Sequence, residues 1–316
     1  MGLYQDYIAI SRYARYVPEN KRRETWPETV ERYIKFFSEY SEVNLGFIRE
    51  HMINKTVLPS MRAVMTSGKA LERDHVAGYN CAYVAVDHVR VFDEALYIML
   101  CGTGLGFSVE RQHIAKLPEV AEAFHPTDTT IVVGDSKLGW AKALKELVGL
   151  LYAGQVPKID ASNVREAGAP LRVFGGRASG PEPLERMFKH FIRIFENASG
   201  RKLNSLEVHD LICYEGEAPD MGAYLREWLS IYESRSGERG LFNREACREM
   251  LPERREGGYE FGTNPCSEIV LRSAQFCNLS EVVATKSDTF DTLKKKIEVA
   301  TVMGTLQSCL TDFRYL

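Results

Sequence analysis

Asn264, Cys266 and Glu268 put an amide, a thiol and a carboxylate within five residues of the segment Thr263-Asn264-Pro265-Cys266-Ser267-Glu268-Ile269, and a further thiol, Cys277, follows eleven positions after Cys266. A sulfur can carry a reactive intermediate, a carboxylate can move a proton, and an amide can orient a hydroxyl by donating and accepting at once. Side chains alternate along extended backbone, so an extended segment would aim all three at one face, and Pro265 disfavours helix at the residue before it. One tight loop would then present the set. The same pattern also accommodates a Cys266 that packs as a small apolar residue and a Glu268 that is merely solvated; spacing alone leaves both readings open.

Such a loop needs elements to hold it. Thr25-Trp26-Pro27-Glu28 has the form of a capping box with proline in the first turn, and Ser11 to Met52 reads as a helical N-terminal region. Beyond it, Cys81 to Val86 is a compact apolar run expected as a buried strand, Val91 to Cys101 a helix, and Gly106 to Glu110 a second strand. Leu138 to Tyr152 carries Trp140, Leu144, Leu147, Val148 and Leu151 on one stripe, with Asp135 or Ser136 as a start signal and Gly154 as a stop. Further helices are expected at Leu184–Asn197, Met221–Ser234 and Phe290–Leu310, with strands near Glu268–Leu271 and Cys277–Val283. Gly168 to Pro183 reads as a long ordered loop. Alternating strands and helices imply an α/β fold with a parallel sheet.

Composition narrows the classes. The chain has 316 residues, 45% hydrophobic and 26% charged, which is ordinary for a soluble protein. No apolar run reaches eighteen residues, and Met1 to Tyr16 places charges and tyrosines where a signal peptide needs an uninterrupted apolar stretch, so a cytoplasmic protein without a membrane partner is expected. A net charge of −3 offers no broad basic face for nucleic acid, although backbone N–H groups at helix starts can hold a small polyanion such as a nucleotide. Seven cysteines without a CxxC pair argue against a disulfide framework or a four-sulfur zinc site. The histidines show no ligand spacing, so no metal site is expected. Cys101, Cys213, Cys247 and Cys309 read as packing residues. Gly102-x-Gly104-x-Gly106 is not a dinucleotide fingerprint, which needs a strand before it and a helix after it; here the order is reversed, and the glycines fit close backbone approach at a strand entry.

Asn-Pro-Cys-Ser-Glu-Ile (264–269), followed by Gln-Phe-Cys-Asn-Leu-Ser-Glu-Val-Val (275–283), resembles the active-site loop and following barrel strand of ribonucleotide reductases. The short gap to Cys277, with Pro265 and Ser267 inside the motif, is similar to the adenosylcobalamin-dependent class. Leu58-Pro59-Ser60-Met61-Arg62, Gly78-Tyr79-Asn80-Cys81, Gly104-Leu105-Gly106-Phe107-Ser108-Val109-Glu110, Gly134-Asp135-Ser136 with Gly139-Trp140, and Ala178-Ser179-Gly180-Pro181-Glu182-Pro183-Leu184 resemble the same family in the same order. The resemblance runs from about Ser11 to Leu316.

That resemblance implies a helical N-terminal region over residues 1–75 and, over 76–316, part of the family's ten-stranded α/β barrel, whose central finger loop would be residues 263–269. It implies a thiyl radical on Cys266 that takes the 3′ hydrogen of a ribonucleotide, Glu268 as general base on the 3′ hydroxyl, and Asn264 as a ribose hydrogen-bonding partner. Cys81 and Cys277 would be the redox pair. Adenosylcobalamin would be the cofactor, and a thioredoxin-like or dithiol reductant a partner. Whether the substrate is a di- or triphosphate stays open.

Two departures qualify the resemblance. After Val208-His209-Asp210-Leu211-Ile212-Cys213 the family runs into a glycine-valine-arginine-arginine segment and another strand, whereas this sequence passes to Tyr214-Glu215. The final residues, through Asp312-Phe313-Arg314-Tyr315-Leu316, are similar to the middle of the family's barrel, so the second half-barrel and the C-terminal cysteine pair are expected to be missing. The chain would then be one piece of a split reductase completed by a second polypeptide, a truncated product, or a nucleotide-binding relic without turnover.

Overall fold

The computed structural model describes residues 3–171, 176–213 and 242–316. The N-terminal capping box forms as the sequence implies. The Thr25 backbone N–H donates to Glu28 Oε2 at 2.7 Å and the Glu28 N–H donates to Thr25 Oγ1 at 3.4 Å, satisfying donors that a helix start leaves free. The helix they start, Trp26–Phe37, buries Val30, Tyr33, Phe36 and Phe37 on one side. The stretch expected to be wholly helical also holds a short antiparallel ribbon of β1 (Tyr16–Val17) and β2 (Arg22–Arg23), because Pro18 opens a tight turn that Lys21 closes at a φ of 49°.

The site is built on two layers. The strand β3 (Val57–Pro59) precedes β4 (Cys81–Ala85), every residue of which is buried. Helix Val91–Leu100 crosses over from β4 to β5 (Gly104–Ser108), which runs parallel to it. A second unit of the same kind joins β6 (His125–Val132) to the parallel β7 (Gln155–Asp160) through helix Lys137–Tyr152. Helix Lys137–Tyr152 packs its Ala141, Leu144, Leu147, Val148 and Leu151 inward, and helix Glu182–Asn197 adds Leu184, Phe188, Phe191 and Phe195 to the same core.

The C-terminal third supplies the other half of the site. A two-residue strand β8 (Gly262–Thr263) pairs antiparallel with β9 (Val270–Leu271), and β10 (Gln275–Cys277) pairs antiparallel with β4, giving a three-stranded sheet in the order β10-β4-β5. The strand β11 (Ser280–Val282) turns away to pair with β3, and helix Phe290–Ser308 packs back over both. The single strand expected over Cys277–Val283 is therefore two, divided at Asn278-Leu279 where the chain changes sheets, and the one expected at Glu268–Leu271 is confined to its last two residues. The helix expected at Met221–Ser234 lies outside the described residues.

The outcome is a mixed α/β architecture with parallel strand pairs. Among the described residues the sheets have two or three strands and no ring of strands closes. One apolar core extends from Val30 to Leu310, and a small separate cluster gathers Cys81, Tyr83, Leu271 and Cys277 with Ile269 against it. No described helix is long and apolar enough to cross a membrane.

Candidate active site

Cys81 and Cys277 are direct cross-strand partners in the β4–β10 register, both free and both buried. Residues so opposed in an antiparallel pair have Cα atoms about 4.5–5.5 Å apart, inside the range that a disulfide spans. Burial raises the pKa of the Cys81 thiol, outweighing the hydrogen bond from Asn264 that favours its thiolate, and the neighbouring Cys266 pushes in the same direction as burial. Burial together with Cys81 pushes the Cys277 thiol up to about 12. Both are thus held as protonated thiols near neutral pH. Mild oxidation is expected to join Cys81 to Cys277, detected as a cross-linked peptide pair. Thiolate is the species that attacks, so the rate should climb as pH rises from neutral towards the Cys277 value of about 12.

The loop between β8 and β9 brings Cys266 to this pair. Ser267 adopts a left-handed backbone, with φ of 66°, and its N–H closes a turn onto the Asn264 carbonyl at 3.0 Å. That turn replaces the simple alternation expected from the sequence: Asn264 is buried, with 1% of its surface exposed, while Cys266 and Glu268 are exposed. The Asn264 amide nevertheless joins the two ends of the loop. Its Nδ2 donates to Glu268 Oε1 at 2.7 Å, and its Oδ1 accepts from the Ile269 N–H at 3.0 Å. Four of the five residues singled out by sequence are thus linked around Cys81: Asn264, Cys266 and Cys277 all act on its thiol, and Glu268 reaches it through Asn264.

Glycines make the close seating possible, as the Gly102-x-Gly104-x-Gly106 spacing implies at the entry to β5. A Cβ on Gly106 of β5 would fall on the Thr263 carbonyl oxygen and lie 3.1 Å from the Asn264 carbonyl carbon; one on Gly104 would lie 3.1 Å from the Pro265 ring. One on Gly262 would sit within the Tyr83 ring. The loop therefore rests backbone-on-backbone against β5. Gly106→Ala is expected to displace it and to cost about 1–3 kcal/mol, read as a lowered thermal midpoint together with faster amide exchange at residues 262–271.

Sequence reasoning missed the loop's outer supports. Arg244, at the start of helix Arg244–Glu249, donates through Nε to the Phe261 carbonyl at 2.7 Å and pairs with Glu110, just beyond β5. Arg255 donates to the Val270 carbonyl at 3.0 Å. Neither arginine belongs to a recognisable motif, and Glu110 lies far from Arg244 in sequence, so only the folded chain reveals the contacts.

This arrangement, a thiol-bearing loop seated over a cross-strand thiol pair, occurs on a known fold. The chain superposes on a crystal structure of a B12-dependent (class II) ribonucleotide reductase with a TM-score of 0.75 and 20% sequence identity, covering 97% of this chain and 59% of that one. Its fold over the covered part is that of a class II ribonucleotide reductase.

In sequence the chain is similar to adenosylcobalamin-dependent ribonucleoside-triphosphate reductases. It is 25% identical to that of Levilactobacillus brevis over 402 aligned positions and 24% identical to that of Lactobacillus leichmannii over 392, in each case covering 85% of this chain and 53% of the relative. The chain spans about half the length of these curated relatives. Because the alignments run longer than the chain's 316 residues, the relatives also carry internal segments that it lacks. No family model matches the sequence.

Proposed function

We propose that this chain performs the radical chemistry of ribonucleotide reduction, converting a ribonucleoside triphosphate to its deoxy form, with adenosylcobalamin as cofactor. The observation that carries the reading is the register of Cys81 against Cys277 beneath the loop that bears Cys266, with Asn264 and Glu268 hydrogen-bonded at the loop's base. The residues at hand suit the cofactor: Cys266 is exposed at the loop, so an initiator can approach it from outside while the other two thiols stay covered. When bound, adenosylcobalamin would supply the oxidising equivalent that turns the Cys266 thiol into a thiyl radical.

The remaining steps fall to side chains of this chain. Cys266 takes the 3′ hydrogen of the ribose, breaking C–H and forming S–H. Glu268 accepts the 3′ hydroxyl proton, and Asn264, already bonded to Glu268, fixes that carboxylate towards the sugar. The 2′ C–O bond breaks and the oxygen leaves as water, with a proton from Cys81 or Cys277. Burial keeps both thiols protonated near neutral pH, so each has a proton to give. The other thiol of the pair delivers its hydrogen to C2′, the two sulfurs give up two electrons in all and close to a disulfide, Glu268 returns its proton to the 3′ oxygen, and the 3′ hydrogen returns from Cys266 to carbon. A thioredoxin-like or small dithiol reductant then reopens the disulfide.

In this reading residues 1–75 form the helical N-terminal region and 76–316 a partial catalytic barrel. The test is anaerobic reduction of ribonucleoside triphosphates with adenosylcobalamin and dithiothreitol, on this chain alone and with a polypeptide carrying the second half-barrel. Deoxynucleotide formed in either arm supports the reading. Nucleotide binding without turnover in both would make the chain a binding relic.

A further inference from the structure

The finger loop enters through Phe261 and leaves through Val270, and each of these backbone carbonyls accepts a hydrogen bond from a different arginine: Arg244 Nε to Phe261 at 2.7 Å and Arg255 Nη2 to Val270 at 3.0 Å. Both arginines are tied elsewhere. Arg244 forks onto Glu110, whose Oε2 also accepts from Ser108 Oγ at 2.9 Å, so the incoming strand is fixed to the end of β5. Arg255 lies over the Phe261 ring, 5.4 Å from its centroid, and reaches Gln275 Oε1 at 3.4 Å on β10, so the outgoing strand is fixed to the strand that carries Cys277. Gln275 Oε1 in turn accepts from the Arg272 N–H at 2.8 Å.

We infer that Arg244 and Arg255 are a pair of positioning residues that clamp the two stems of the finger loop to the two strands flanking β4, setting where Cys266 sits relative to Cys81 and Cys277. The inference rests on the proposed function for its purpose, though not for its geometry. Neither arginine touches the reacting thiols. Two-residue stems such as Gly262–Thr263 and Val270–Leu271 make few ladder hydrogen bonds, and a strand pair that short does not hold its position without outside contacts. Arginine suits the task because its planar fork can engage a carbonyl and a carboxylate at once, which a lysine ammonium does with far less directional control.

The experiment is amide hydrogen exchange on the full chain, free of substrate and cofactor, for Arg244→Gln, Arg255→Gln, the double variant and Arg244→Lys. Each glutamine variant should speed exchange at the Asn264 and Ile269 amides roughly 10-fold, as expected when one charge-assisted hydrogen bond no longer opposes local opening. The double variant should exceed either single one. Helix Lys137–Tyr152 and strand β4 should exchange at the native rate, and Arg244→Lys should recover part of the protection. Unchanged exchange at Asn264 and Ile269 in the double variant would overturn the clamp, and so would faster exchange spread evenly over the chain. If Arg244→Gln does not fold, Arg244→Lys and Arg255→Gln carry the same comparison. Where turnover has been established, Arg244→Gln should lower kcat while leaving KM within about twofold, because the clamp acts on the position of Cys266 and not on substrate contacts. A native chain without turnover would sink the proposed function and leave the exchange result standing.

Discussion

Cys266→Ser is expected to abolish deoxynucleotide formation while leaving the fold and the thiol pair intact. A serine hydroxyl matches the thiol in size, and Cys266 is exposed on a loop whose shape is set by Asn264, Ser267 and the glycines beneath it, so nothing in the packing requires sulfur there. The chemistry does require it: an O–H bond is too strong for a serine to be converted to a radical that would take a sugar hydrogen reversibly. The loss should exceed roughly 10⁴-fold, the scale seen when a covalent-step residue is removed from a catalytic unit. Anaerobic turnover in whichever arm is active with the native chain measures it directly. Oxidative cross-linking of Cys81 to Cys277 should persist in the variant, showing that the register of β4 and β10 is untouched. Full turnover in Cys266→Ser would remove the basis for the proposed reaction.

The identity of these residues was legible in the sequence, while their arrangement was not. Asn264, Cys266 and Glu268 stand out because an amide, a thiol and a carboxylate rarely fall so close together, and Cys277 as a second thiol soon after them, whereas Cys81 is marked only by the resemblance to ribonucleotide reductases, since a cysteine in a buried strand otherwise reads as packing. Alternation along an extended segment predicted one face for the loop. The turn closed by Ser267 defeats that rule, since a left-handed residue reverses the chain and lets a buried Asn264 bond back to Glu268 across it. A single φ value of this kind has no periodic signature. Serine is not a residue that announces it.

Burial explains which strands were foreseen. The strand β4 is buried throughout and its apolar run is unmistakable, whereas β6, with His125, Pro126, Thr127, Asp128 and Thr129 mostly exposed, shows neither apolar alternation nor a continuous run. It becomes a strand by pairing with β7, a partner fixed by the helix between them. Arg244 and Glu110 were equally invisible, because a contact across 134 residues leaves no local pattern. The glycines fall between: their clustering signalled close backbone approach, and only the fold shows that what approaches Gly106 is the stem of the loop that bears Cys266.

Glu268→Gln should slow turnover by roughly 10²–10⁴-fold with little change in nucleotide affinity, the span expected for loss of a general base. Glutamine keeps the length of the side chain and an oxygen able to accept from Asn264 Nδ2, so the 2.7 Å hydrogen bond at the base of the loop can survive. What disappears is the negative charge that, in the proposed reaction, would accept the 3′ hydroxyl proton. The two roles of Glu268 separate in a comparison with Glu268→Ala, which removes the acceptor as well and should also loosen the loop. Faster amide exchange at Asn264 and Ile269 is therefore expected in the alanine variant and not in the glutamine variant. Equal turnover defects with equal exchange changes would mean that Glu268 acts through loop structure, and turnover near native in Glu268→Gln would assign the proton to another group. Slow turnover on a native loop would identify the carboxylate charge itself as the working element of the site.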